Sequence, residues 1–183
     1  MGCLGVHFAL IEDEVGALKA QPSDSERLDY LQEVIEETYF GERREWLAES
    51  DKAWDAIHRT LTGGKLSLDN GTFPLSHVIL GGEVIYALDD YIMSLKTPWE
   101  VKEIASGLRG LAERAFRQHY FAIDQEDYGF QVGEEDYQYT LVMVRKCARP
   151  LLSGRRRGTL RPIHRQPIVI GFCVSYDRIP GGQ

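Results

Sequence analysis

From residue 2 to residue 10, Leu4, Val6, Phe8 and Leu10 alternate with Cys3, His7 and Ala9. A period of two predicts a strand with one apolar face. The period then changes. Glu12–Ala20 reads as a short helix, with Ile11, Val15 and Leu18 along one side. Ser23-Asp24-Ser25-Glu26 has the Ser-x-x-Glu form of a capping box and opens a helix striped by Leu28, Leu31, Val34, Ile35 and Tyr39. A third helix is predicted from about Ser50 to Leu61, ended by Gly63-Gly64. Residues 62–74 read as loop, with Asn70-Gly71 a turn and Pro74 a breaker. Pro74–Leu80 reads as a short helix stopped at Gly81-Gly82, and Tyr91–Leu95 as an extended segment.

The sharpest local signal is Thr97-Pro98-Trp99-Glu100. Threonine caps, proline takes the first helical position, and the glutamate three residues on closes the box. The helix it starts carries Val101, Ile104, Ala105, Leu108 and Leu111, and continues or restarts through Phe116 and Tyr120. Glu134–Ala148 is the last predicted helix, ended by Pro150, and Pro167–Ser175 reads as a strand. No internal repeat is visible. The core is expected where Leu4, Val6 and Phe8 meet Leu31, Ile35, Trp54, Ile57, Ile104 and Leu108.

Four pieces in order are the opening Met1-Gly2-x-Leu4-Gly5 strand, Asp51-Lys52-Ala53-Trp54-Asp55-Ala56-Ile57-His58, the Ile79-Leu80-Gly81-Gly82 stop, and the Thr97-Pro98-x-Glu100-Val101 helix start. Together they resemble the YfbM-like family, small bacterial proteins with a domain of unknown function, over about residues 1–140. The resemblance implies a single α+β domain: several helices packed around a small, mainly antiparallel sheet, with first and last strands near each other. It brings no activity, cofactor or catalytic residue. The organisation expected is a domain over residues 1–150 and an arginine-rich tail over 151–183. Either the tail is divergent and supplies a final strand at Ile168–Val174, or the reading frame shifts near residue 141.

Composition narrows the class. The 183 residues are 43% hydrophobic and 27% charged, enough apolar material for one core. No apolar run approaches the ~18 residues a spanning helix needs, so a membrane protein is excluded by this criterion. The first residues lack a basic region, and Cys3, Cys147 and Cys173 form no disulfide framework, so a cytoplasmic location is expected. Val6 stands where a myristoylation signal needs Ser or Thr. Residues 141–183 hold nine Lys or Arg against Asp177, a net of +8, which leaves −15 for residues 1–140 of the whole-chain −7. An acidic body repels phosphates and disfavours a specific nucleic-acid ligand. A sequence-blind polyanion contact through Arg155–Arg157 is the weaker exception.

Chemistry-bearing residues are few. Trp54, Ile57, His58 and Leu61 share one helical face, and Asp51 is expected a turn earlier on that side. Asp51, Trp54 and His58, with Gly81 and Gly82 opposite, form the candidate pocket; the competing expectation is a core histidine with Asp51 serving the helix N-terminus. The glycines either admit a ligand or end a helix. Glu36-Glu37, Asp89-Asp90 and Glu126-Asp127 lack EF-hand spacing, and the five histidines lack paired ligand spacing, so neither a metal nor a cofactor is expected. Two functions remain: a binding module, inhibitor- or immunity-like, whose acidic surface takes a basic protein partner, or a small-ligand site or enzyme near Trp54 and His58.

Overall fold

The alternation of the first ten residues becomes strand β1 (Cys3–Leu10), the second strand of a five-stranded sheet. The structure, a computed structural model, describes the backbone of residues 3–88, 91–152 and 168–175, and side chains over 4–88 and 91–147. The remaining strands are β2 (Leu47–Asp51), β3 (Glu83–Leu88), β4 (Tyr91–Lys96) and β5 (Ile168–Ser175). Their order is β2-β1-β5-β4-β3 and every neighbouring pair is antiparallel, so the first and last strands lie side by side. The fold is α+β. The Arg155–Arg157 segment and Asp89-Asp90 lie outside the described residues.

Because side chains alternate across a strand, the sheet has two faces and each is buried. Val6, Phe8, Leu10, Met93 and Leu95 point one way, onto helices α1 (Glu12–Lys19), α2 (Asp24–Tyr30) and α3 (Glu37–Gly41). There they meet Val15, Leu18, Leu31, Ile35 and Tyr39. A second apolar cluster, with Ile92 of β4 packed against it, joins α4 (Trp54–Thr62), α5 (Pro98–Gly110), α6 (Glu113–Tyr120), α7 (Gln125–Tyr128) and α8 (Glu134–Leu152). The single core expected from sequence is therefore two. Leu31 and Ile35 pack with Val6 and Phe8, whereas Trp54, Ile57, Ile104 and Leu108 belong to the other cluster. Apolar periodicity tells which residues are buried, not on which side of a sheet.

The local signals at helix starts are realised. Ser23 Oγ accepts the Glu26 N–H at 3.2 Å, and Thr97 Oγ1 accepts the Glu100 N–H at 3.3 Å while Glu100 Oε2 accepts the Thr97 N–H at 2.7 Å. Elsewhere the chain departs from expectation. Leu31–Glu36 is a π-turn between α2 and α3, so Leu31, Ile35 and Tyr39 stay buried while Val34 turns out, 43% exposed. Ser50 and Asp51 end strand β2 instead of opening a helix, and α4 starts at Trp54. Glu83–Leu88 pairs with β4 as a second strand. The last helix passes Pro150, expected to end it, and stops two residues on at Leu152. A proline's missing N–H and its ring's clash with the carbonyl four residues back weaken a helix without placing its end at the proline itself.

Candidate functional site

Asp51, Trp54, His58, Gly81 and Gly82 do not converge on one cavity. Asp51 ends β2 with φ of 49°, the one non-glycine in the left-handed region among the described residues. Its Oδ1 accepts the Lys52 N–H at 2.9 Å, and the Tyr139 hydroxyl hydrogen-bonds to its carboxylate. It therefore does not lie one helical turn before Trp54, as expected. The strand reverses direction there, and residues 50–53 close a turn through the Ala53 N–H on the Ser50 carbonyl at 3.1 Å.

Trp54 is half-buried against the helical cluster and faces β1. A Cβ on Gly5 would sit 2.7 Å from Trp54 Cβ and 2.2 Å from Ser50 Oγ, so glycine alone permits this approach. His58 is 1% exposed, and its Nε2 lies 2.8 Å from the Ser67 carbonyl oxygen. A carbonyl only accepts, so Nε2 carries the proton and the buried, unpartnered Nδ1 is a lone pair. Burial holds the ring below its ordinary pKa against the opposing Ser67 bond, with the Arg59 and Lys96 charges adding to the drop.

The glycine pair closes structure instead of opening it. The Gly81 N–H caps the Ser76 carbonyl at 3.2 Å, and a Cβ there would meet the His77 ring at 2.3 Å. Gly82 has φ of 112° and lies so close to β4 that a Cβ would be 2.4 Å from the Leu95 carbonyl oxygen.

Beside Gly82 is a residue that sequence reading missed. Lys96 is 1% exposed, and its Nζ donates to the Ile79 carbonyl at 2.8 Å, the Ser94 carbonyl at 3.5 Å and Ser94 Oγ. Burial pulls its pKa down to about 7 against the weaker opposing pull of Glu100. His7 is pushed to about 3 by burial first and the Lys96 charge second, and its Nε2 lies 3.3 Å from Ser50 Oγ. The Cys147 thiol also bonds Ser50, and burial pushes it up to about 12. These side chains line the sheet face opposite Val6 and Phe8. The available signal was the alternation Ile92, Ser94, Lys96 within a strand whose other residues are apolar: a central strand buries both faces.

An open cleft of about 470 Å³ lies where β1, β2 and α8 meet, lined by Leu4, Gly5, Leu47, Asp51, Met143 and Lys146 among others. A bulge shapes it: Gly5 pairs with Asp51 and Val6 with Glu49, leaving Ser50 unpaired and turned inward toward His7. Of the five residues expected to form a pocket, Asp51 alone lines this cleft. Gly5 in an otherwise alternating strand was the readable signal for it. Lys146 and Met143 come from α8, nearly a hundred residues later, and no local pattern links them to Asp51. Among the described residues no three His, Cys, Asp or Glu side chains gather as a metal site, and no helix is long and apolar enough to cross a membrane.

Helices on both faces of an antiparallel sheet, with a bulged β1–β2 edge, define an α+β domain of the YfbM kind. The fold is similar to that of YfbM from Escherichia coli, a protein of unknown function, with a TM-score of 0.62 and 19% identity over 93% of this chain and 99% of that one. At that identity the likeness speaks of fold alone. The family model described as a domain of unknown function, DUF1877, matches residues 1–144, and the chain belongs to that family. No curated protein matches it.

Proposed function

We propose that this protein is a cytoplasmic binding module whose acidic α1–α3 layer recognises a basic protein partner, in the manner of an inhibitor or immunity protein. One observation carries the reading. Residues 11–49 hold twelve acids and four bases. All four bases are already ion-paired within the molecule: Lys19 with Glu83, Arg27 with Asp24, Arg43 with Glu14 and Arg44 with Glu49. Glu12, Glu26, Asp29, Glu33, Glu37 and Glu42 are exposed on this layer. Such a field attracts a positively charged surface, accelerates encounter and weakens with salt. The packing of His58 supports the same reading, because a buried ring held neutral is poorly suited to proton transfer.

The test is affinity capture from a bacterial lysate with the full chain, run beside two charge-reversed variants. Reversal at Glu33, Glu37 and Glu42 should abolish capture of a basic protein that reversal at Glu103, Glu113 and Glu126 leaves intact. Binding of the purified pair should fall steeply with ionic strength. A captured protein retained equally by both variants, or no protein captured by the wild type, overturns the reading.

A further inference from the structure

We propose that the β1–β2–α8 cleft binds a small zwitterion with an aliphatic body, its amine directed at Asp51 and its anionic group at Lys146. The cleft lies off helices α1–α3, shares only Glu49 with the acids counted over residues 11–49, and does not depend on that reading. Its volume of about 470 Å³ suits a metabolite rather than a protein side. The walls are apolar at Leu4, Val6, Leu47 and Met143, with charge of both signs at Glu49, Asp51 and Lys146.

Charge balance selects the ligand class. Glu49 is neutralised by Arg44 at 3.1 Å. Lys146 is exposed and makes no ion pair among the described residues. Asp51 accepts from the Lys52 N–H and from Tyr139, two bonds that fix its carboxylate before any ligand arrives. A carboxylate has about four acceptor positions, so capacity for an ammonium remains. Among the described residues the cleft thus offers one cation without an ion pair, Lys146, and one held carboxylate, Asp51. A ligand bearing a single charge would pair with one of the two groups; a zwitterion pairs with both through charge-assisted hydrogen bonds. Gly5 fixes this wall, since a Cβ there would strike Ser50 and Trp54 and push the bulge and the start of α4 away from β1. Asp51 is one of the few residue types that accept the left-handed backbone this wall requires.

L-leucine is the probe, titrated into the full ¹⁵N-labelled chain beside 4-methylpentanoate, which lacks the amine, 3-methylbutylamine, which lacks the carboxylate, and glycine, which lacks the aliphatic body. Leucine should shift the Gly5, Asp51 and Met143 amides saturably, with each truncated analogue binding at least about tenfold more weakly, as loss of a charge-assisted pair implies. K146M should weaken leucine by a similar factor without changing the fold, because Lys146 is exposed. D51N tests the amine end, and should its turn prove unstable, K146M still decides. No saturable shift from any standard amino acid at millimolar concentration overturns the proposal. So does equal binding of 4-methylpentanoate and leucine, which would mark a plain anion site.

Discussion

The Lys96 ammonium lies 2.8 Å from the carbonyl oxygen of Ile79, and all three of its hydrogen bonds go to neutral oxygens. A buried charge without a bonded carboxylate weakens the fold in proportion to its protonation. The folded pKa is about 7 against 10.5 for the free side chain, so between those values the unfolded chain binds more protons. Stability therefore rises with pH across that window, by up to about 1.4 kcal/mol per unit. Urea melts of wild type and K96M at intervals from pH 7 to 9.5 isolate this group, because other titrations cancel in the difference. The wild type should gain on K96M as pH rises. A difference that stays flat would mean that Lys96 is solvated in solution.

Gly82 and Gly16 make opposed cases. Gly82→Ala places a Cβ 2.4 Å from the Leu95 carbonyl oxygen at a φ of 112°, so clash and strain combine. The expected loss is roughly 2–4 kcal/mol by chemical denaturation. Gly16 lies within α1, and a Cβ there meets nothing within 4 Å. Gly16→Ala should stabilise by about 0.5–1 kcal/mol. The same sign for both would show that the Gly82 turn is not held against β4.

Thr97→Ala removes one acceptor and one partner from a complete capping box. The expected cost is about 1 kcal/mol in thermal or urea melts. The site was legible in the sequence because capping is a four-residue affair, and the same holds at Ser23. What the sequence did not carry is anything set across the sheet. Strand β2 is five residues long, and its pairing with β1 involves a bulge, so Leu47–Asp51 has no clean alternation to read. Asp51 was identified by type, but its backbone conformation follows from that pairing. Lys96 reads as solvent-facing because lysine usually is; only the sheet order, which places β4 inside, reverses that.

The two clusters separated by the sheet should respond independently. Phe8 and Ile57 are both fully buried, one on each face. Each Ala substitution should cost on the order of 2–5 kcal/mol. In the double variant the losses should add within about 0.5 kcal/mol, since the residues share no cluster. A coupling well above that figure would indicate that the faces repack together.

His58 has the most to say about whether its surroundings do chemistry. Its Nε2–H points at the Ser67 carbonyl, its Nδ1 is buried without a donor, and burial holds its pKa below 6.5. For a histidine kept neutral on folding, the unfolded chain binds the proton more readily. The ring's contribution to stability is therefore present above pH 6.5 and declines as pH falls from there toward the folded value. Long-range ¹⁵N–¹H spectra should show one Nε2–H tautomer, unchanged as pH is lowered through 6.5. His58→Asn, which keeps a donor but cannot titrate, should lose the acid-side decline attributable to the ring. A His58 that titrates at its ordinary pKa, and shifts when a small molecule is added, would return that ring to the list of groups that act on a ligand. It would also remove one of the two supports for the binding-module reading.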